Sequence, residues 1–183
     1  MLGQDSGQPW FLYWLLNAIE VCNTQHIQIS DDIKKRCCAY LRACHNPKEG
    51  GFSGAPHLQS HLASTYSAVM AIVCLATPEA YSIIDVPKMK QYLLSIKNNL
   101  HTDFEQVHSS NQWVLKHRVS GEEHKWAGAH EYVATLPGAV AIHYNGEMDM
   151  RGSYCALVVA DILGLIEGNH EFTQGMGDFI ASC

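Results

Sequence analysis

The fold is decided by two pairs of related segments: YLRAC (40–44) with YLLSI (92–96), and TYSAV (65–69) with SYCAL (153–157). Within each segment, apolar residues recur three or four positions apart, as on the buried face of a helix. The two kinds of segment alternate along the chain, and FIASC (179–183) begins a third copy of the first kind. This repeat predicts helix pairs whose apolar faces stack on neighbouring pairs.

The rest of the apolar pattern is also helical. Trp10, Trp14 and Ala18 lie four residues apart, and Ser30 followed by two aspartates is typical of a helix start. No stretch keeps the alternation expected of a half-buried strand. The sequence therefore predicts an all-α fold, as one partial domain over residues 1–183.

The second repeat is much longer than the first. Leu41 and Tyr66 are 25 residues apart, whereas the matching Leu93 and Tyr154 are 61 residues apart. The extra residues, 100–140, show no clear period, so we expect a long irregular inserted loop, and whether it is ordered stays open at this point. Their histidines are irregularly spaced, which does not favour a metal site. The segment is either a surface loop or sequence foreign to the working protein.

Composition excludes several classes of function. Asp and Glu total 18 against 12 Lys and Arg, a formal charge of −6, which disfavours nucleic-acid binding. No apolar run reaches the roughly 18 to 20 residues of a membrane span, and the N-terminus lacks the pattern of a secretory signal. The seven cysteines include no CxxC, and we expect reduced, mostly buried thiols of an intracellular protein.

Aromatic and charged residues give two candidate binding features. Trp10, Tyr13 and Trp14 either pack in the core or line a cavity for a long apolar ligand. Arg151 follows two carboxylates at the start of a predicted helix, in the segment GEMDMR (146–151). It either forms a structural ion pair or presents a cation to an anionic ligand group.

The glycine-rich loop PKEGGFSGAP (47–56) is the third notable segment. It lacks the GK[ST] of a phosphate-binding loop and no strand precedes it. We interpret it as a tight turn between helices, with Gly50 or Gly51 at positive φ. A functional role would lie just after it, at His57 and in HLASTY (61–66).

Five motifs together resemble the β subunits of the protein prenyltransferases, and within them the farnesyl-transferring type. The resemblance covers residues 8–99 and 142–183 and leaves out the insertion. It implies an α–α toroid around a central apolar funnel, paired with an all-helical α subunit. The motifs are PWFLYW (9–14), EGGFSG (49–54), HLASTY (61–66), EAYSII (79–84) and GEMDMRGSYC (146–155).

The resemblance implies a cytoplasmic enzyme that transfers a farnesyl group from farnesyl diphosphate to the cysteine of a C-terminal C-a-a-X sequence. Zinc would hold the acceptor cysteine as a thiolate, and magnesium would assist the diphosphate leaving group. The family's zinc ligands and diphosphate-binding residues have no counterpart before Cys183. We therefore expect a fragment of a longer protein, and no activity from these 183 residues alone.

Four residues are matched by the resemblance to the isoprenoid site. Trp10 resembles the tryptophan that abuts the end of the isoprenoid, where geranylgeranyl-transferring relatives carry a smaller residue. Tyr66, Arg151 and Tyr154 resemble the wall of this site. Arg151 also resembles the arginine that reaches the peptide's C-terminal carboxylate through water.

Two further residues, His61 and Ala63, resemble the pocket for the X residue of the acceptor peptide, to which Trp10 also contributes. Ser64 replaces a proline that is common in the family, so the preferred X residue stays open.

Three other functions remain compatible with parts of the pattern. A geranylgeranyltransferase β subunit is the nearest, although Trp10 argues against it. A terpene cyclase of the same architecture would need a DxDD-type motif, which the sequence lacks. A non-catalytic helical-repeat interaction module is the third. An insertion that breaks the toroid, leaving no functional product, is a further alternative.

Overall fold

The computed structural model describes residues 7–22, 27–97, 104–109, 112–117, 123–125, 138–144, 146–168 and 170–183. Helices dominate the described residues, with three short strands between the fifth and sixth helix. The elements are α1 (Gln8–Val21), α2 (Asp31–Cys44), α3 (Leu62–Leu75), α4 (Pro78–Tyr81), α5 (Val86–Ile96), β1 (Phe104–Ser109), β2 (Gln112–His117), β3 (Glu123–Lys125), α6 (Met150–Ile162), α7 (His170–Thr173) and α8 (Met176–Ser182).

Helix α3 lies at the centre of the molecule. It packs between α1 and α6, with α2 against its side, while α5 and α8 pack against α6. Ten of its residues are buried, in keeping with a helix that is covered on several sides. This arrangement confirms the predicted all-α fold of stacked helix pairs.

Polar side chains fix where the helices begin. The Ile33 backbone N–H donates to Ser30 Oγ (3.4 Å) at the start of α2, as the sequence predicts. Lys88 N–H donates to Asp85 Oδ1 (3.1 Å) at α5, and Arg151 N–H to Asp149 Oδ1 (2.8 Å) at α6. Each cap satisfies a backbone donor that has no partner within its helix.

The connection from α2 to α3 is a compact loop over residues 45–61. His45 and Phe52 form an isolated antiparallel bridge across it. The buried Thr65 side chain of α3 closes the loop, since its Oγ1 accepts from Phe52 N–H (2.9 Å) and donates to Phe52 O (3.2 Å). Gly50 has φ +91°, and a Cβ there would lie 2.5 Å from Lys88 O, so both backbone and space require glycine.

The connection from α5 to α6 carries the insertion. Lys97 pairs with Val140 in an isolated antiparallel bridge, and Ala141 N–H donates to Ile96 O (2.9 Å). The chain therefore leaves and re-enters the helical body at neighbouring points. Val140 also lies close to α6, because a Cβ at Gly152 would be 2.5 Å from its carbonyl oxygen.

Three strands in the insertion correct the expectation of an irregular loop in part. β1 pairs antiparallel with β2, and β2 with β3. β1 (FEQVHS) and β2 (QWVLKH) do not alternate apolar with polar residues, and β3 (EHK) contains no apolar residue, so no strand pattern stands out in the sequence. The rest of residues 100–137 lies outside the described residues. The prediction for the insertion as a whole therefore stays a prediction.

The cysteines only partly match the expectation of mostly buried thiols. All seven are free, and Cys38, Cys44 and Cys155 are buried. Cys37 and Cys74 are half-buried on α2 and α3, and Cys22 and Cys183 are exposed just after the ends of α1 and α8. Across the described ranges, no helix is long and apolar enough to cross a membrane.

Candidate functional site

A row of aromatic rings runs across α1, α3 and α6. Tyr66, which is only 6% exposed, lies at its centre. Its ring centroid is 5.5 Å from Trp10, 6.0 Å from Tyr13 and 5.7 Å from Tyr154. These separations are typical of aromatic pairs in contact. Three predicted site residues, Trp10, Tyr66 and Tyr154, are therefore brought together from three different helices.

The aromatic row (Trp10, Tyr13, Tyr66 and Tyr154) forms an apolar surface that is most accessible at Tyr154. Tyr154 is 58% exposed, whereas Trp10 and Tyr13 are half-buried. Burial and its hydroxyl neighbours raise the pKa of Tyr66 far above its ordinary value, so this phenol stays neutral. Both sequence interpretations of Trp10 and Tyr13 stay open, because the two rings pack against the core and are only half-buried.

A cavity of about 440 Å³ lies beside the aromatic row. Trp10 belongs to both features, and His61, Ala63 and Ser64 from the start of α3 line the cavity with it. The remaining lining comes from the glycine-rich loop and the residues after it, such as Gly54 and Leu58. The resemblance assigns Trp10, His61 and Ala63 to the pocket for the X residue, and all three line this one cavity.

His61 is fixed through its backbone but not through one of its ring nitrogens. Its N–H donates to Phe52 O (2.9 Å), and its carbonyl accepts from Thr65 N–H (2.8 Å). Among the residues that the structure describes, its buried Nδ1 has no hydrogen-bond partner. Burial, with a smaller contribution from nearby His143, lowers the pKa of His61 below its ordinary value. The imidazole is therefore neutral at pH 7.

Arg151 is held by two carboxylates on the exposed side of α6. Its Nε donates to Asp149 Oδ2 (2.8 Å), and its Nη2 donates to Glu147 Oε1 (2.8 Å). The guanidinium, more than the two backbone donors at the start of α6, holds the pKa of Asp149 below its ordinary value. Both interpretations of Arg151 stay open, because its ion pairs are present and its guanidinium is also exposed. Arg151 lies one helical turn from Tyr154.

One contributor to the site was missed from the sequence: His143, whose ring lies 5.6 Å from that of His61. Glu147, which the sequence predicts as a possible ion-pair partner of Arg151, binds Arg151 and also acts on the pKa of His61. His143 and His61 are far apart in the chain, so no local spacing could reveal the contact. The available signal was weak: His143 falls in the charged segment that precedes α6.

A zinc ion is not supported by the described residues. Within the described ranges, no group of three or more His, Cys, Asp or Glu side chains is placed to hold a metal ion. Structural and catalytic zinc sites need at least three such protein ligands. The part of the chain described by the structure therefore does not provide a zinc site.

Comparison with known proteins identifies the family. All of residues 1–183 match the prenyltransferase alpha-alpha toroid domain, which confirms the predicted toroid. The chain is 30% identical over 179 residues to protein farnesyltransferase subunit beta of Arabidopsis thaliana, and 28% identical over 184 residues to that of Saccharomyces cerevisiae. The alignments cover 98% and 100% of this chain but 28% and 33% of the two relatives, so the chain spans about a third of their length. The chain belongs to the prenyltransferase alpha-alpha toroid family.

Proposed function

We propose that this chain forms part of a protein farnesyltransferase β subunit and contributes to the binding of farnesyl diphosphate and a C-a-a-X peptide. The observation that carries the proposal is the contact of the Trp10, Tyr66 and Tyr154 rings beside a cavity that Trp10 also lines. An apolar wall that ends at a small pocket suits an isoprenoid lying next to a peptide end.

The aromatic row would bind the isoprenoid tail. Flat rings from three helices offer apolar area without flexible side chains, so little conformational entropy is lost on binding. Trp10 occupies the junction between the row and the cavity. A prenyl chain lying along the row would be blocked there, which favours a fifteen-carbon farnesyl group over a longer geranylgeranyl group.

The cavity would receive the last residue of the acceptor peptide. Its volume of about 440 Å³ is near the lower end of small-ligand sites, which is suitable for one side chain. Ala63 leaves room, while neutral His61 and the Ser64 hydroxyl offer hydrogen bonds. The pocket would therefore take an uncharged side chain.

Arg151 would help to bind the C-terminal carboxylate of the peptide. Two of its nitrogens already donate to Glu147 and Asp149, which leaves Nη1 for a water or an anion. The carboxylates orient the guanidinium and partly neutralise it. Contact through water would suit such a shared cation better than a direct ion pair.

The remaining parts of the reaction would come from outside the described residues. When bound, zinc supplies a thiolate form of the acceptor cysteine, and magnesium supports the diphosphate. An α subunit would complete the heterodimer, and we propose a cytoplasmic location, as the resemblance implies. We expect no transfer by the 183 residues alone.

A transfer assay tests the proposal with the whole gene product and its α subunit. Supplied with zinc, magnesium and a fluorescent C-a-a-X peptide, the enzyme should use farnesyl diphosphate in preference to geranylgeranyl diphosphate. The opposite preference would identify a geranylgeranyltransferase β subunit. Failure to bind either diphosphate would indicate the non-catalytic interaction module instead.

A further inference from the structure

His143 lies in a turn that is anchored to the start of α3. Leu62 N–H donates to Ile142 O (2.7 Å), and Ile142 N–H donates to Glu147 O (2.9 Å). Gly146 N–H donates to His143 O (2.8 Å), which closes the turn. These bonds hold the backbone of Ile142, His143, Gly146 and Glu147 against the start of α3, next to His61 and Ala63.

The His143 ring is itself held in one orientation. Its Nδ1 lies 2.9 Å from the carbonyl oxygen of Tyr144, which can only accept, so Nδ1 carries a hydrogen. A Cβ on Gly146 would lie 3.0 Å from His143 Cε1 and Cγ, so the ring packs tightly onto the glycine. The imidazole is thus fixed by a hydrogen bond on one side and by packing on another.

The His143 ring packs against an imidazole whose own Nδ1 does not fix its orientation. Within the described ranges, His61 Nδ1 has no hydrogen-bond partner, so that atom does not fix how the imidazole is turned. The His143 ring packs against it with centroids 5.6 Å apart and planes tilted by 43°. Glu147 also acts on His61: it raises the pKa of the imidazole, whereas His143 lowers it.

We propose that His143 is a positioning residue, which holds the His61 imidazole in the orientation needed to bind the acceptor peptide in the cavity. The inference rests on the proposed function, because it assigns the cavity to the peptide. His143 acts through His61 and need not contact the peptide itself. Its contribution is the packing of one ring against the other, which two graded substitutions can test.

The first test measures His61 directly by NMR, in the full chain with ¹⁵N-labelled histidine. His143→Ala removes the ring that packs against His61 and leaves the His61 imidazole less buried, so the pKa of His61 should rise. His143→Phe keeps a ring at this position, so the rise should be smaller. Tyr144→Phe is the matched control: its side chain is exposed and it keeps the backbone carbonyl that binds His143.

The second test measures the affinity of a fluorescent C-a-a-X peptide for the whole gene product with its α subunit. His143→Ala should weaken binding about tenfold, His143→Phe about twofold, and Tyr144→Phe should have no effect. If His143→Ala fails to fold, the comparison of His143→Phe with the control decides. Unchanged His61 signals, or altered signals with unchanged peptide affinity, would overturn the proposal. If the wild type binds no peptide, the proposed function fails, while the NMR measurement still decides whether His143 positions His61.

Discussion

The connection from α2 to α3 and the connection from α5 to α6 both return the chain to the helical body, but they do so with very different lengths of chain. Residues 45–61 join α2 to α3, and residues 97–149 join α5 to α6. Each connection closes on an isolated antiparallel bridge, His45 with Phe52 in the first and Lys97 with Val140 in the second. Each also delivers a histidine to the same site, since His61 and His143 pack against one another.

The difference in length between the two connections shows that the fold depends on the residues that close each connection. In the first loop, closure depends on buried polar contacts such as those of Thr65 with Phe52. In the second, closure at residues 97 and 140 brings the ends of the insertion together, so the helices need not move to admit it. Loop length costs little entropy once the ends are fixed. We therefore expect the helical body to be insensitive to the insertion and sensitive to the residues that close each connection.

The largest effect should come from Gly138, where the second connection returns to the body. Its φ is +98°, and an added Cβ would lie 2.0 Å from the backbone carbon of Gly175. Gly138→Ala should therefore lower the free energy of unfolding by about 3 kcal/mol or more, measured by urea denaturation. Gly168→Ala is the control: φ is +71°, no described atom lies within 4 Å, and the cost should be about 1 kcal/mol. Equal losses in the two variants would contradict this view of the second connection.

Thr65→Val should have the next largest effect, by opening the first connection. The substitution keeps the volume of the side chain but leaves the buried Phe52 N–H without its acceptor. The expected loss is about 2 kcal/mol in the same denaturation experiment. Ser67→Ala, in the same buried helix, removes only a hydroxyl that donates to Ser64 O and should cost less than about 1 kcal/mol. A neutral Thr65→Val would show that the loop closes without this contact.

Acid should weaken the first connection by a smaller amount. Burial lowers the pKa of both His45 and His61 below the ordinary value of 6.5. Below pH 6.5 the unfolded chain therefore binds protons before the folded chain does, so stability is complete above this pH and falls beneath it. Urea denaturation at pH 7.5 and 5.5 should show the loss, and His45→Gln should reduce it. Stability that is constant or rises toward pH 5.5 would contradict the prediction.

The smallest effect is expected from removing the insertion. Replacing residues 101–136 by a short glycine–serine linker should change the free energy of unfolding by less than about 1 kcal/mol, because Lys97 and Val140 still pair. Circular dichroism and urea denaturation of the shortened chain measure this directly. A large loss would mean that the insertion packs against the helices, and the two connections would then differ in kind.

The sequence was most informative where the physics is local. Helical spacing predicted the stacked pairs, and Ser30 at the start of α2 was recognised because its cap spans three residues. The contacts of Tyr66 with Trp10 and Tyr154 required the family resemblance, since periodicity does not say which helix faces meet. The strands of the insertion were missed because their apolar residues do not alternate with polar ones, and the contact of His61 with His143 was missed because the two residues are far apart in the chain.

The central claim is that the aromatic row binds a prenyl chain whose length is limited by Trp10. The most direct test measures the affinities of farnesyl and geranylgeranyl diphosphate for the whole gene product with its α subunit, before and after Trp10→Thr. Leu15→Thr, an exposed position on the same helix, is the control. We predict that the wild type and the control prefer the farnesyl compound, and that Trp10→Thr lowers this preference about tenfold. An unchanged preference in Trp10→Thr, or no binding of either diphosphate by the wild type, would contradict the claim.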